Sequence, residues 1–150
     1  MTTTAPLPLA TGSEVRFPLF RDGCEAGFPS AAFDYVEAEL SLNELVGAGQ
    51  PQTYFVRATG RSEVGAGIWP GDLLVIDAAR EPVPGDLVVA CVAGEHTVKR
   101  FCRDRAGVYL APDPLPDEAD AFHEIRLGDG EELEVCGVVT HTVRNLLRRW

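Results

Sequence analysis

The sequence predicts a mainly β protein with a flexible N-terminal arm and one or two short helices. Three observations lead there. From Thr53 onward, short apolar runs alternate with Gly, Pro and Asp turns, the pattern of a compact all-β barrel or sandwich. The phrase Pro70-Gly71-Asp72-Leu73-Leu74-Val75 is echoed as Pro84-Gly85-Asp86-Leu87-Val88-Val89, each a turn delivering a buried strand. Two copies are local reuse of a turn and not a repeat architecture. Helical periodicity, finally, is confined to one region before Gly47.

Taken in order, Met1 to Glu14 is rich in Thr, Pro and Ala and has neither helical nor strand period, so it reads as an arm. Val15 to Phe20 is apolar and extended, with Pro18 confining it to a sheet edge. Arg21 to Pro29 is a loop dense in turn formers. Phe33, Val36 and Leu40 then recur at helical spacing, and Ser41-Leu42-Asn43-Glu44 matches a capping box ahead of Leu45 and Val46. This predicts two short helices broken around Ser41, stopped by Gly47-Ala48-Gly49-Gln50-Pro51. Strands are predicted over Thr53–Ala58, Leu73–Asp77, Leu87–Val92, Thr97–Phe101, Val108–Ala111, Phe122–Leu127 and Leu133–Val143. The acidic stretch from Pro112 to Ala121 reads as a solvated excursion.

At 150 residues the chain suits one domain with a short appendage, and 45% hydrophobic with 24% charged residues is an ordinary globular balance. A net charge of −10 argues against a direct grip on nucleic acid, which needs a basic face. The arginines gathered at Arg144, Arg148 and Arg149 read as a solvated terminus. Cys24, Cys91, Cys102 and Cys136 lack paired spacing, and His96, His123 and His141 stand alone, so neither a metal site nor a cofactor is expected. With no signal peptide and no membrane-length apolar run, the expected location is the reducing cytoplasm.

The chemistry centres on Tyr54 to Asp72, where Ser62 sits in a turn between a strand and a glycine-rich loop. Gly60, Gly65 and Gly67 permit a turn whose backbone N–H groups converge on one point, as an oxyanion hole requires. A serine hydroxyl needs a base, and no histidine–carboxylate pair accompanies this one. A lysine can serve if burial lowers its pKa from about 10.4 to roughly 7–8. Strand alternation puts Thr97, Lys99 and Phe101 on one face, and a buried face would desolvate Lys99. The same residues also fit an ordinary basic pair, Lys99-Arg100, on an edge strand.

Several stretches together decide between these readings. Ser62 followed by Gly67-Ile68-x-x-Gly71-Asp72-Leu73-Leu74, and Gly94-Glu95-x-Thr97-Val98-Lys99-Arg100, resemble the self-cleaving domain of the LexA repressor family. Phe17-Pro18-Leu19-Phe20, Gly27-Phe28-Pro29-Ser30, Asp34-Tyr35-Val36-Glu37, Leu42-Asn43-x-Leu45, Thr53-Tyr54-Phe55-Val56 and Gly137-Val138-Val139-x-His141 resemble its UmuD-type SOS mutagenesis branch. The likeness runs over roughly residues 15 to 145, with no helix-turn-helix segment ahead of it.

The resemblance implies a compact, highly bent β structure of the LexA C-terminal-domain type that dimerises. It implies Ser62 as nucleophile, Lys99 as general base, and the backbone amides of Arg61 and Ser62 as oxyanion donors. It places the scissile bond at Ala26-Gly27, so that residues 1–26 form an arm removed by self-cleavage and 27–150 the peptidase-like dimerisation domain. The partners implied are a second copy, the RecA filament on single-stranded DNA, and a UmuC-type translesion polymerase. Two positions depart from the family: Gly60-Arg61-Ser62-Glu63 stands where Gly-Asp-Ser-Met is usual, and Ala26 where this branch commonly has Cys. Glu63, a carboxylate beside the nucleophile, favours a second reading, a non-cleaving dimeric factor that binds polymerase and RecA.

Overall fold

In the computed structural model, residues 15–20, 36–127 and 132–147 are described. The chain divides into two units, Met1–Pro51 and Gln52–Trp150. In the first, strand β1 (Arg16–Phe20) pairs antiparallel with β2 (Val36–Ser41), and Pro18 lies opposite Glu39. A two-stranded ribbon has only edge strands, which is where a residue lacking an N–H can sit.

The helix expected through Phe33, Val36 and Leu40 is, over its described part from Val36 to Leu40, a strand. A spacing of four fits both the helical period and the two-residue alternation of a strand, and pairing with β1 decides between them. Phe33 lies outside the described residues. The second expected helix is present as α1 (Leu42–Val46). The Ser41 side chain caps it by accepting from the Glu44 amide at 3.4 Å, and Gly47 ends it with φ 69°. The capping box is half made, because the Glu44 carboxylate bonds Arg16 at 2.8 Å.

The second unit is one antiparallel sheet. Its strands are β3 (Thr53–Arg57), β4 (Leu73–Asp77), β5 (Leu87–Val92), β6 (Glu95–Asp104), β7 (Gly107–Ala111), β8 (Ile125–Arg126) and β9 (Leu133–Val143). They lie in the order β3-β4-β9-β5-β6-β7-β8. The mainly β expectation holds, with β4, β5 and β9 at the boundaries read from sequence. Both faces of the sheet's middle are covered. Val89 joins Ala58, Ile68, Leu74 and Ile76 in one buried cluster, while Val88 and Ala90 join Phe101, Leu110 and Val138 in another. Burial on both faces is why β5 reads as an unbroken apolar run, Leu-Val-Val-Ala-Cys-Val.

Strand β9 carries two bulges. Thr140 is the extra residue in its pairing with β4, and Cys136 the extra residue in its pairing with β5. Each bulge bends the strand and increases its twist, so one long strand holds two differently inclined neighbours.

The stretch after β7 is not a plain solvated excursion. It contains a 3-10 helix, Pro116–Ala121, and is tied to the Ser62 turn by main-chain bonds. The strand expected over Phe122–Leu127 shrinks to Ile125–Arg126. Arg144 is no solvated end either: its Nε donates to buried Asp72 at 2.6 Å and its Nη2 to the Gly67 carbonyl at 2.6 Å. Arg148 and Arg149 lie outside the described residues.

Candidate active site

The turn that presents Ser62 begins at Gly60, whose φ of 76° is in the left-handed region, and continues through bonds from Val64 N to Arg61 O and Gly67 N to Val64 O. Val64 and Ile68 are buried, Ile68 in the cluster with Ala58, Leu74, Ile76 and Val89. The segment after β7 pins the turn, with the Asp113 amide donating to Ser62 O and the Gly65 amide to Asp113 O, both at 2.7 Å. A Cβ on Gly65 would lie 2.6–2.7 Å from Asp113 and Pro114 oxygens, so this position has room only for glycine. Asp113 is held in turn by Arg100 at 2.7 Å, and Arg61 pairs with Glu118 at 2.7 Å while stacking over Trp69.

Lys99 comes from β6, an interior strand between β5 and β7, so the edge-strand reading of the basic pair does not apply. Its Nζ donates to Ser62 Oγ at 2.6 Å, Val98 O at 2.8 Å and Thr97 Oγ1 at 3.2 Å. Three acceptors match the three N–H bonds of an ammonium. The residue is 9% exposed, and burial pulls its pKa below the ordinary lysine value against the opposing pull of Glu63.

Glu63 does not point outward. It is 4% exposed, with Oε1 3.6 Å from Lys99 Nζ and accepting from Ser62 Oγ at 3.3 Å. Its Oε2 is buried without a hydrogen-bond partner among the described residues. Burial raises its pKa to about 7, with Lys99 and the Ser62 hydroxyl pulling the other way.

These three side chains line an open cleft of about 140 Å³ together with Val56, Ala58, Gly60 and Thr97. Among the described residues the Arg61 and Ser62 amides have no hydrogen-bond acceptor. The structure thus brings Ser62, Lys99 and the Arg61–Ser62 backbone into one place, 37 residues apart in sequence for the two side chains. Ala26 and Gly27 lie outside the described residues. Sequence reading put Thr97 on the lysine's face without assigning it a part, and it missed the Asp113 clamp. The i, i+2 spacing of Thr97 and Lys99 was the available signal for the first, whereas the second depends on a contact between distant segments.

A serine hydrogen-bonded by a buried lysine on a β scaffold, with no histidine bonded to either among the described residues, is an arrangement that can activate a hydroxyl through an amine. The Peptidase S24-like family pattern matches residues 18–140, and the chain belongs to that family. Within it the chain is of the UmuD type of the LexA/UmuD group of self-cleaving serine peptidases. It is 43% identical over 136 residues to the protein ImpA of Escherichia coli, covering 91% of this chain and 88% of the relative. Identity is 42% over 123 residues to the protein SamA of Salmonella typhimurium, covering 82% and 81%. To the LexA repressor of an Acidovorax strain it is 32% over 141 residues, covering 94% of this chain and 60% of that protein.

Proposed function

We propose that this chain cleaves itself at Ala26-Gly27 with Ser62 as nucleophile and Lys99 as general base, and that the 27–150 product serves translesion synthesis in the SOS response. The observation that carries the reading is the 2.6 Å contact between Lys99 Nζ and Ser62 Oγ beside an open cleft. Once neutral, Lys99 keeps two N–H bonds, for Thr97 Oγ1 and Val98 O, and turns its lone pair toward Ser62.

The Ser62 proton passes to that lone pair as Oγ bonds to the Ala26 carbonyl carbon. The oxyanion is received by the free amides of Arg61 and Ser62. Collapse breaks the Ala26–Gly27 bond, and Lys99 returns the proton to the Gly27 amine. Water activated by the same lysine then hydrolyses the ester, releasing the Ala26 carboxylate and restoring Ser62. A small cleft suits two small residues, and glycine gives the substrate backbone freedom to kink.

The protein acts as a cytoplasmic homodimer, its cleavage promoted by the RecA filament on single-stranded DNA, its product serving a UmuC-type polymerase. The likeness to the UmuD-type relatives and to a LexA repressor supports a homodimer working in the SOS pathway. Residues 1–26 are the arm that is lost. The test is intact mass after incubation with RecA, an ATP analogue and single-stranded DNA. A fragment beginning at Gly27 is expected, and an unchanged chain contradicts the reading.

A second reading, a non-cleaving dimeric factor with the same partners, is favoured by one observation. Glu63 is buried against the lysine whose proton must be lost.

A further inference from the structure

The hydrogen bonds at the dyad have a direction. Lys99 Nζ donates to Ser62 Oγ, and Ser62 Oγ donates to Glu63 Oε1. General-base catalysis requires the opposite sense at the first step, with the serine hydroxyl donating to the amine. A hydroxyl has one proton, so Glu63 and a neutral Lys99 compete for it. Glu63 is placed to win, being 4% exposed and 3.6 Å from the Nζ whose positive charge it stabilises.

We propose that Glu63 is a positioning residue that holds the dyad latent, keeping Lys99 as ammonium and the Ser62 proton turned away from it. This rests on the Ser62/Lys99 reading above. The dyad becomes active when Lys99 gives up a proton, either to solvent at high pH or to Glu63 itself. In the internal transfer the ammonium and carboxylate become an amine and a carboxylic acid, with no net change in charge. The unpartnered Oε2 is available to hold that proton. A raised carboxyl pKa is consistent with it.

The other charged groups near Glu63 set the balance. From β6, Arg100 favours the carboxylate, whereas Asp113, from the segment after β7, opposes it. Arg57 of β3 and His96 of β6 also line the cleft. Arg100 and Asp113 are paired to each other at 2.7 Å and largely offset one another. Lys99 is therefore the group whose titration Glu63 controls.

The experiment uses the full-length chain with Glu63→Gln, close in shape and uncharged, and Glu63→Met as a second variant. Lys99 is titrated by NMR on lysine-labelled protein, and self-cleavage is followed in parallel from pH 6 to 10 without RecA. An opposite charge this close raises a lysine pKa by about one unit or more. Both variants should therefore titrate Lys99 at least about one pH unit lower, giving about tenfold more neutral lysine near neutrality. Their cleavage profiles should move to lower pH by the same amount. Unchanged Lys99 titration in both variants overturns the proposal, and so do superimposable cleavage profiles. A lowered titration with no cleavage in any variant leaves Glu63's hold on the lysine intact and refutes the dyad's activity instead.

Discussion

Lys99 Nζ and Ser62 Oγ lie 2.6 Å apart although they belong to different elements, an interior strand and a glycine-initiated turn. Main-chain bonds hold the turn to the segment after β7, and Arg100, the next residue on the lysine's strand, holds Asp113 of that segment. Ser62, Lys99 and the segment after β7 are thus tied together by hydrogen bonds and an ion pair.

Gly65→Ala tests the clamp. Its Cβ would meet backbone oxygens of Asp113 and Pro114 at 2.7 Å, which a side-chain rotation cannot relieve. Overpacking of this kind costs about 1–3 kcal/mol. Thermal unfolding should show the loss, and self-cleavage should fall further than stability does. A variant as stable and as active as the parent would show that the segments are not clamped.

Thr97→Val removes one of the two acceptors that orient a neutral Lys99. A hydrogen bond of this kind contributes roughly 0.5–1.5 kcal/mol, so cleavage should slow about two- to tenfold with little change in unfolding temperature. An unchanged cleavage rate would remove Thr97 from the mechanism.

Burial of Glu63 has a consequence for stability. Its folded pKa of about 7 lies above the ordinary 4.5, so between these values the folded chain keeps a proton that the unfolded chain has released. Stability should therefore fall as pH rises through that window. Lys99 acts oppositely at higher pH, because its folded pKa lies below 10.5 and the folded state gains relative stability as pH climbs toward that value. Unfolding temperatures of the parent and Glu63→Gln should diverge from pH 5 to 7.5, the parent losing ground by about 2–8 °C for each ~1 kcal/mol. Parallel curves would mean that the carboxyl titrates normally.

Much of this was legible in the chain. Leu73–Asp77 and Leu87–Val92 are short, apolar and bounded by Pro-Gly-Asp turns, so local signals sufficed. Val36–Leu40 misled because its spacing suits helix and strand alike, and only pairing with Arg16–Phe20 settles it. Residue type made Ser62 and Lys99 candidates and the family resemblance chose between the readings, but their meeting is a tertiary fact. Glu63 could be read as facing in or out, since a turn does not dictate side-chain direction; the cleft behind Ser62 decides. Arg144 looked like a solvated end because its partner, Asp72, stands far away in sequence.

The substrate site makes its own prediction. Gly27→Glu puts a bulky charge where a small cleft must close, so cleavage should drop by at least about a hundredfold, as misplacement of a reacting group commonly costs. Unfolding temperature should stay near that of the parent. A variant cut at the parental rate places the scissile bond elsewhere.

The most direct test of the central claim is the intact mass of three chains, the parent, Ser62→Ala and Lys99→Ala, after long incubation at alkaline pH in protease-free preparations. The account predicts a fragment from Gly27 to Trp150 in the parent and an uncut chain in both variants. Processing of Ser62→Ala at the same bond, or a parent that stays whole under every condition, would contradict it.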